Sequence, residues 1–296
     1  MGNASIWGRI RQSEAASGLA LVSPTAIYAI LLLAAPLATV FLYSFAASEQ
    51  GRIVWDFSFD NYIKIWTAPN VQLILLRSLT VSMSVTLVTV LLAYPVAYFV
   101  SFHVPASKKS IWLFLITIPF WTSYIIRVFL WKGIILGYNG VINTVLMGIG
   151  ITDEPLQAIN YNAGAMVMTL AHAYAPFAIL PIFVALEKID RSLLEAGQDL
   201  GESRLLTFWR VTLPLSMPGV IAAVLIVFIP TIGDYVTPDL IGGGKVPMIA
   251  NMIEVQMLKQ NNKALGSAIA VTTMLIVCIV SIVFLLLNRR FLRAQK

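Results

Sequence analysis

A handful of side chains in this sequence could do chemistry, and their types favour binding over catalysis. Asp234 ends a long uncharged run and is followed by Tyr235. A carboxylate beside a phenol ring offers an organic cation both opposite charge and a π face. The competing reading is a cap on a helix end. Arg127 has Tyr124 three residues before it and Trp131 four after, so on a helix all three share a face. A guanidinium so placed stacks on the rings and reaches outward to water. It would repel a cation and hold an anion. His172 and Tyr174 lie inside another apolar run, with Pro176 and Pro181 beyond them. Such a histidine is either a ligand group or hydrogen-bonded between packed helices. Trp121 and Tyr124 could line a passage or anchor a helix at a membrane surface. Glu254 is read as part of a solvated face.

Enzyme chemistry finds no support. There are two histidines, His103 and His172, and no H-E-x-x-H, nucleophile elbow or metal-ligand cluster. The single cysteine, Cys278, lies in an apolar run, which excludes a disulfide framework and suggests a small buried hydrophobe. Gly242-Gly243-Gly244-Lys245 lacks the spacing of a phosphate loop, and Val246 stands where Ser or Thr is needed, so it is read as a turn.

The elements that must position these residues are membrane helices. Hydrophobic residues make up 58% of the chain and charged ones 11%, with a mean hydropathy of +0.83. Soluble domains carry about 25% charge. The chain is therefore an all-α integral membrane protein in one domain. Six apolar runs, uncharged apart from Arg127 in the third, reach the roughly 20 residues that cross a bilayer, at about 19–45, 78–102, 110–131, 163–186, 213–233 and 264–288. The first follows Arg9 and Arg11 but is far longer than the apolar core of a signal peptide, so it is read as a retained span. Along span five Asp234 falls about 32 Å from Leu213, and along span three Arg127 falls about 26 Å from the start; both are near the far interface.

Six spans place both termini on one side. With that side inside, twelve of the twenty Lys and Arg residues are inside, and the net charge divides as +6 inside and zero outside. The charge therefore sets an N-in, C-in orientation and does not call for a nucleic-acid partner. Outside, Glu49 to Arg77 mixes Trp55, Phe57, Phe59, Tyr62 and Trp66 with charges, an interfacial composition. Tyr138-Asn139-Gly140 signals a turn before a short surface helix over Val141 to Ile149, and Pro247 to Lys259 reads as an amphipathic surface segment.

One polar interruption between spans is organised. Arg191 to Pro214 reads RSLLEAGQDLGESRLLTFWRVTLP. Ser192 and Glu195 have the spacing of a capping box, and Gly201 sits where a helix needs a left-handed residue to stop. Glu195 and Asp199 share a face. A helix of about two turns is unstable alone and must dock on something.

These residues carry a resemblance. Glu195-Ala196-Gly197, three residues, Gly201, nine residues, then Val211-Thr212-Leu213-Pro214 resembles the EAA loop of bacterial ABC-importer permeases, whose pattern is E-A-A, three, G, nine, I-x-L-P. Gly197 and Val211 depart from it conservatively. Pro119 to Arg127 with Asn139 to Asn143, and Phe228 to Gly243, are similar to the spermidine/putrescine group of these permeases; the likeness runs from about Ser17 onward. It implies a six-span, type I ABC-importer permease fold, multi-pass in the bacterial inner membrane. The loop would be cytoplasmic, with Arg191, Ser192, Glu195, Ala196, Gly197, Asp199, Gly201, Leu213 and Pro214 coupling it to an ATPase; Glu195 could cap and still leave an oxygen for an arginine there. Trp121, Tyr124, Arg127, His172, Asp234 and Tyr235 are the pathway candidates. The implied partners are two ATP-binding subunits, a second permease (like or unlike), a periplasmic solute-binding protein and the bilayer. No cofactor is implied on this chain; ATP and Mg belong to the ATPase subunits. The implied cargo is a polyamine, with an opine, ferric iron or an organic anion as alternatives. A secondary transporter driven by an ion gradient would need carboxylates at mid-membrane, which the spans almost lack.

Overall fold

Lipid offers no partner to an unpaired backbone N–H or C=O, so uncharged runs of this length must close their hydrogen bonds as helices. The computed structural model describes residues 14–49, 51–135, 139–156, 159 and 161–293. Arg9, Arg11 and Lys296, used above for orientation, and Tyr138 of the expected turn lie outside these residues. With a sharply bent helix pair counted apart, five helices among the described residues are long and apolar enough to cross a bilayer. They are α1 (Glu14–Ser44), α3 (Pro69–Phe102), α7 (Ala163–Glu187), the run Arg204–Ile232 that ends in α10 (Leu213–Ile232), and α13 (Lys263–Leu287).

The expected third span is bent, not straight. Over 110–131 the chain forms α4 (Ala106–Thr117) and a 3₁₀ turn (Ile118–Trp121), then α5 (Tyr124–Ile135), which leaves at 88° to α4. Pro119 has no N–H for the helix ladder, and Thr122 is extended at ψ 140°. Hydropathy registers composition, which is continuous here, and cannot register direction. The second span also starts earlier than expected, at Pro69, a residue suited to a first helical turn. Three of its buried polar residues bond within the helix: Ser78, Thr86 and Thr89 donate their hydroxyls to carbonyls four residues back.

The core sits where α3, α7 and α10 meet. Ala93, Ala97 and Val100 of α3 pack with Ala178, Ile182 and Leu186 of α7, all buried. Small residues let membrane helices approach closely. α10 comes close to α7 at Gly219, where an added Cβ would lie 2.5 Å from the Pro181 carbonyl and from Ala185 Cβ. α1 packs on α13 and keeps its apolar faces exposed. Cys278 on α13 is likewise exposed, not buried as expected.

Beyond α1 the interfacial segment holds a hairpin the sequence reading lacked, β1 (Ala47–Glu49) antiparallel to β2 (Arg52–Val54). Rings of Tyr43, Phe45, Trp55, Phe57 and Phe59 gather around it. The helix α2 (Asp60–Thr67) follows, and Asn61 donates to the carbonyls of Ser44 and Ala46. The surface helix α6 (Val141–Gly148) forms as expected, and Gly243 and Gly244 turn with positive φ. Glu254, at the end of α12 (Ile249–Glu254), pairs with Lys259 at 3.3 Å.

Candidate functional site

Two groups of candidates lie at opposite ends of the bundle. The first is the loop. Its helix α8 (Arg191–Asp199) is capped by Asp190, not Ser192: Asp190 Oδ1 accepts the Ser192 N–H at 3.0 Å. The expected capping box is therefore corrected. A carboxylate one residue before the helix takes the cap, because its charge also complements the helix dipole. The Ser192 backbone N–H, then its side chain, hold the Asp190 carboxyl below its ordinary range.

Glu195 is thereby released from capping. It stands exposed beside Ala196, with no hydrogen bond or ion pair to it among the described residues. Leu193 and Leu200 are exposed on the same short helix, and Asp199 lies on its surface too. The stop at Gly201 is as expected. Gly201 has φ +89°, its N–H donates to Gln198 O, and the Glu202 N–H donates to Gly197 O at 3.1 Å. This pair of bonds closes the last turn, and the left-handed residue is a glycine for want of a Cβ. The chain returns through α9 (Arg204–Thr207), capped by Ser203, and a π-turn over Phe208–Thr212. Leu213 and Pro214 then open α10. Gly197 lies against Thr207, and Arg210 pairs with Glu202 at 2.9 Å, so the loop folds on itself.

At the root of α8 is a cluster the sequence reading missed. Glu187 ends α7, and its Oε1 accepts from Ser101 Oγ at 2.7 Å and from Lys109 Nζ. Arg191 Nη2 donates to the Ser101 carbonyl at 3.2 Å, and its guanidinium lies 5.9 Å from the Phe102 ring centroid. Neither Glu187 nor Lys109 is among the candidates read from the sequence.

The second group surrounds the break between α4 and α5. Tyr124 donates its hydroxyl to Asp234 Oδ2 at 2.9 Å and lies 2.8 Å from Thr237 Oγ1. Asp234 Oδ1 accepts the N–H of Val236 at 3.0 Å and of Thr237 at 3.4 Å. Asp234 is buried and caps the next helix, α11 (Val236–Leu240), so the cap reading describes its geometry. Burial pushes its carboxyl up, opposed by the hydrogen bonds from Thr237, Tyr124 and Val236. Tyr235 is exposed and shares no ligand face with it; its carbonyl accepts from Asn251.

Arg127 stacks on Phe120 and Tyr124, at 5.5 and 5.9 Å from the ring centroids, and Nη1 donates to the Ala173 carbonyl at 3.3 Å. The expected stacking on Trp131 is not made. Trp131 Nε1 donates instead to His172 Nδ1 at 3.0 Å. His172 is exposed on α7, and this bond to α5 makes it a histidine hydrogen-bonded between helices, one of the two readings. Trp121, in the break itself, is 78% exposed. Among the described residues no three His, Cys, Asp or Glu side chains come together in a way that could hold a metal ion.

Comparison with known proteins gives a consistent pattern. The sequence profile described as binding-protein-dependent transport system inner membrane component matches residues 19–293. The spermidine/putrescine transport system permease protein PotB of Escherichia coli (strain K12) is 36% identical over 228 residues, 77% of this chain and 82% of that protein. PotB of Haemophilus influenzae is 35% identical over 235 residues, 78% and 81% of the two. Among solved structures, a chain of a bacterial alginate ABC transporter in complex with alginate pentasaccharide-bound periplasmic protein matches with a TM-score of 0.74. That match covers 97% of this chain and 98% of the other at 17% identity, a likeness of fold.

Proposed function

The chain belongs to the binding-protein-dependent transport system inner membrane components, as a multi-pass permease of an ABC importer, and from that premise we propose that it carries a polyamine such as spermidine or putrescine. The similarity to two PotB proteins over more than three quarters of the chain carries this reading. The geometry around Tyr124 is compatible with it. Arg127 is drawn onto two rings and a backbone carbonyl, which weakens the case for an anionic cargo. Asp234 is occupied by its own cap, so a cation would meet aromatic faces such as Trp121 and Tyr235 in preference to a bare carboxylate.

The remainder of the mechanism follows from α8. An exposed acid and exposed leucines on a helix too short to stand alone fit docking into a cleft of an ATP-binding subunit. ATP and Mg would be bound by two such subunits, not by this chain. Their closure would displace α8 and swing the spans around a cavity shared with a second permease, while a periplasmic solute-binding protein delivers cargo. The orientation this requires is N-in, C-in. Such coupling depends on contacts that differ between two states, not on tight docking.

The test is the cargo itself. The binding protein that co-purifies with this subunit is expected to retain spermidine or putrescine, identified by mass spectrometry. An opine, iron or an organic anion in its place overturns the cargo reading. Uptake that survives ATP depletion with the membrane potential intact overturns the ATP-driven one.

A further inference from the structure

We propose that Ser101 is the fulcrum of a staple that makes α8, the end of α3 and the end of α7 one rigid lever. The inference rests on α8 being the coupling helix. Pro105 follows the end of α3. It has no N–H, so the carbonyl of Ser101, four residues earlier, has no helical donor. Arg191 supplies one, at 3.2 Å, and brings its charge to the negative end of α3. The hydroxyl of the same Ser101 donates to Glu187 at 2.7 Å. Ser101 is 1% exposed, so neither contact is readily replaced by water.

The placement of these two grips matters. Between Glu187 and Arg191 the chain is only Lys188-Ile189-Asp190, the connection from α7 to α8. Left alone, such a joint would bend and dissipate a push on α8. Ser101 holds the residue on each side of the joint, so bending there must break one of the two contacts. Lys109, whose side chain is 13% exposed, closes the staple from α4 by pairing with Glu187. Ile189 is buried within the joint. Because α3 and α7 pack along their length through small residues, a displacement of their joined ends is passed into the bundle. Glu187, Lys109 and Ser101 are positioning residues; they act through α8.

The experiment uses the assembled transporter in liposomes, with Cys278→Ser removing the native thiol. Spin labels at Ala106→Cys and Leu200→Cys report the distance between the α4 start and α8 before and after trapping with ATP and vanadate. The staple predicts an unchanged distance distribution in the otherwise native chain and a shifted one in Glu187→Ala. It also predicts about a tenfold fall in spermidine taken up per ATP for Glu187→Ala, with recovery in the swapped pair Lys109→Glu plus Glu187→Lys. A distance that shifts without the substitution, or a Glu187→Ala complex that behaves as the parent does, overturns the proposal. Should Glu187→Ala fail to assemble, Arg191→Gln leaves the Glu187–Lys109 pair intact and is expected to shift the trapped distance; no shift overturns the staple. Crosslinking from Glu195→Cys to the ATP-binding subunit checks the coupling reading separately, and its absence sinks that reading whatever the distances show.

Discussion

Tyr124 donates its hydroxyl to Asp234 across 110 residues of sequence, at 2.9 Å, while the face of the same ring receives Arg127. The two charges that promised ligand chemistry are thus joined through one phenol. The bond ties the broken third span to the far end of the fifth.

Asp234→Ala is accordingly expected to act first on stability. It strands the backbone N–H groups of Val236 and Thr237, at about 1–3 kcal/mol for each group left unsatisfied, while the Tyr124 hydroxyl keeps Thr237 Oγ1 at 2.8 Å. Asp234→Asn keeps an acceptor oxygen and should lose much less. Thermal unfolding of the purified subunit distinguishes the two. If Asp234→Asn abolishes spermidine uptake with the unfolding temperature intact, Asp234 is a cargo ligand after all.

The proposed coupling role of α8 makes a second prediction. Glu195→Lys reverses the charge of an exposed residue with no partner in this chain, so the subunit should insert normally. Gly201→Asp forces a side chain into φ +89°, a strain of about 1–2 kcal/mol confined to the loop. Both variants should appear in the membrane at parental levels while uptake falls and ATP hydrolysis no longer depends on cargo. Normal uptake by both would remove α8 from the mechanism.

Much of this arrangement could be read from the sequence, and the gaps have physical causes. Span positions and the stop at Gly201 are local properties, set by composition and by the φ one residue must adopt. The N-cap was misassigned because Asp190 and Ser192 both suit the role, and only the backbone path decides which oxygen meets the N–H. The 88° break at Thr122 was hidden because apolar residues continue through it. The bonds from Tyr124 to Asp234, from Arg127 to Ala173 and from Ser101 to Glu187 span 46 to 110 residues of sequence. No spacing rule reaches so far, and Trp131 could be assigned to Arg127 only until His172 was seen beside it.

Gly219 tests the packing. An added Cβ would overlap the Pro181 carbonyl, a backbone atom that cannot swing aside. Gly219→Leu should part α10 from α7 and cost about 1–3 kcal/mol or more. The expected result is a lower unfolding temperature and weaker co-purification of the whole complex. A variant as stable as the parent would mean that the two helices separate more readily than this contact allows.

Orientation is the last test, and the others depend on it. Lys109, Arg191, Arg204 and Arg210 gather with α8 at one end of the bundle, while Asp153, Glu154 and Asp234 belong to the loops at the other. An excess of Lys and Arg marks the cytoplasmic side. In a Cys278→Ser background, Leu200→Cys should react with a membrane-impermeant maleimide only in inverted vesicles, and Asp153→Cys only in intact spheroplasts. Both sites are exposed on the chain, so a failure to label would reflect the side of the membrane or a partner that covers them. Omitting the ATP-binding subunits from the preparation removes that second cause at Leu200. Labelling of Leu200→Cys from outside would place α8 in the periplasm, where no ATP-driven subunit could push it.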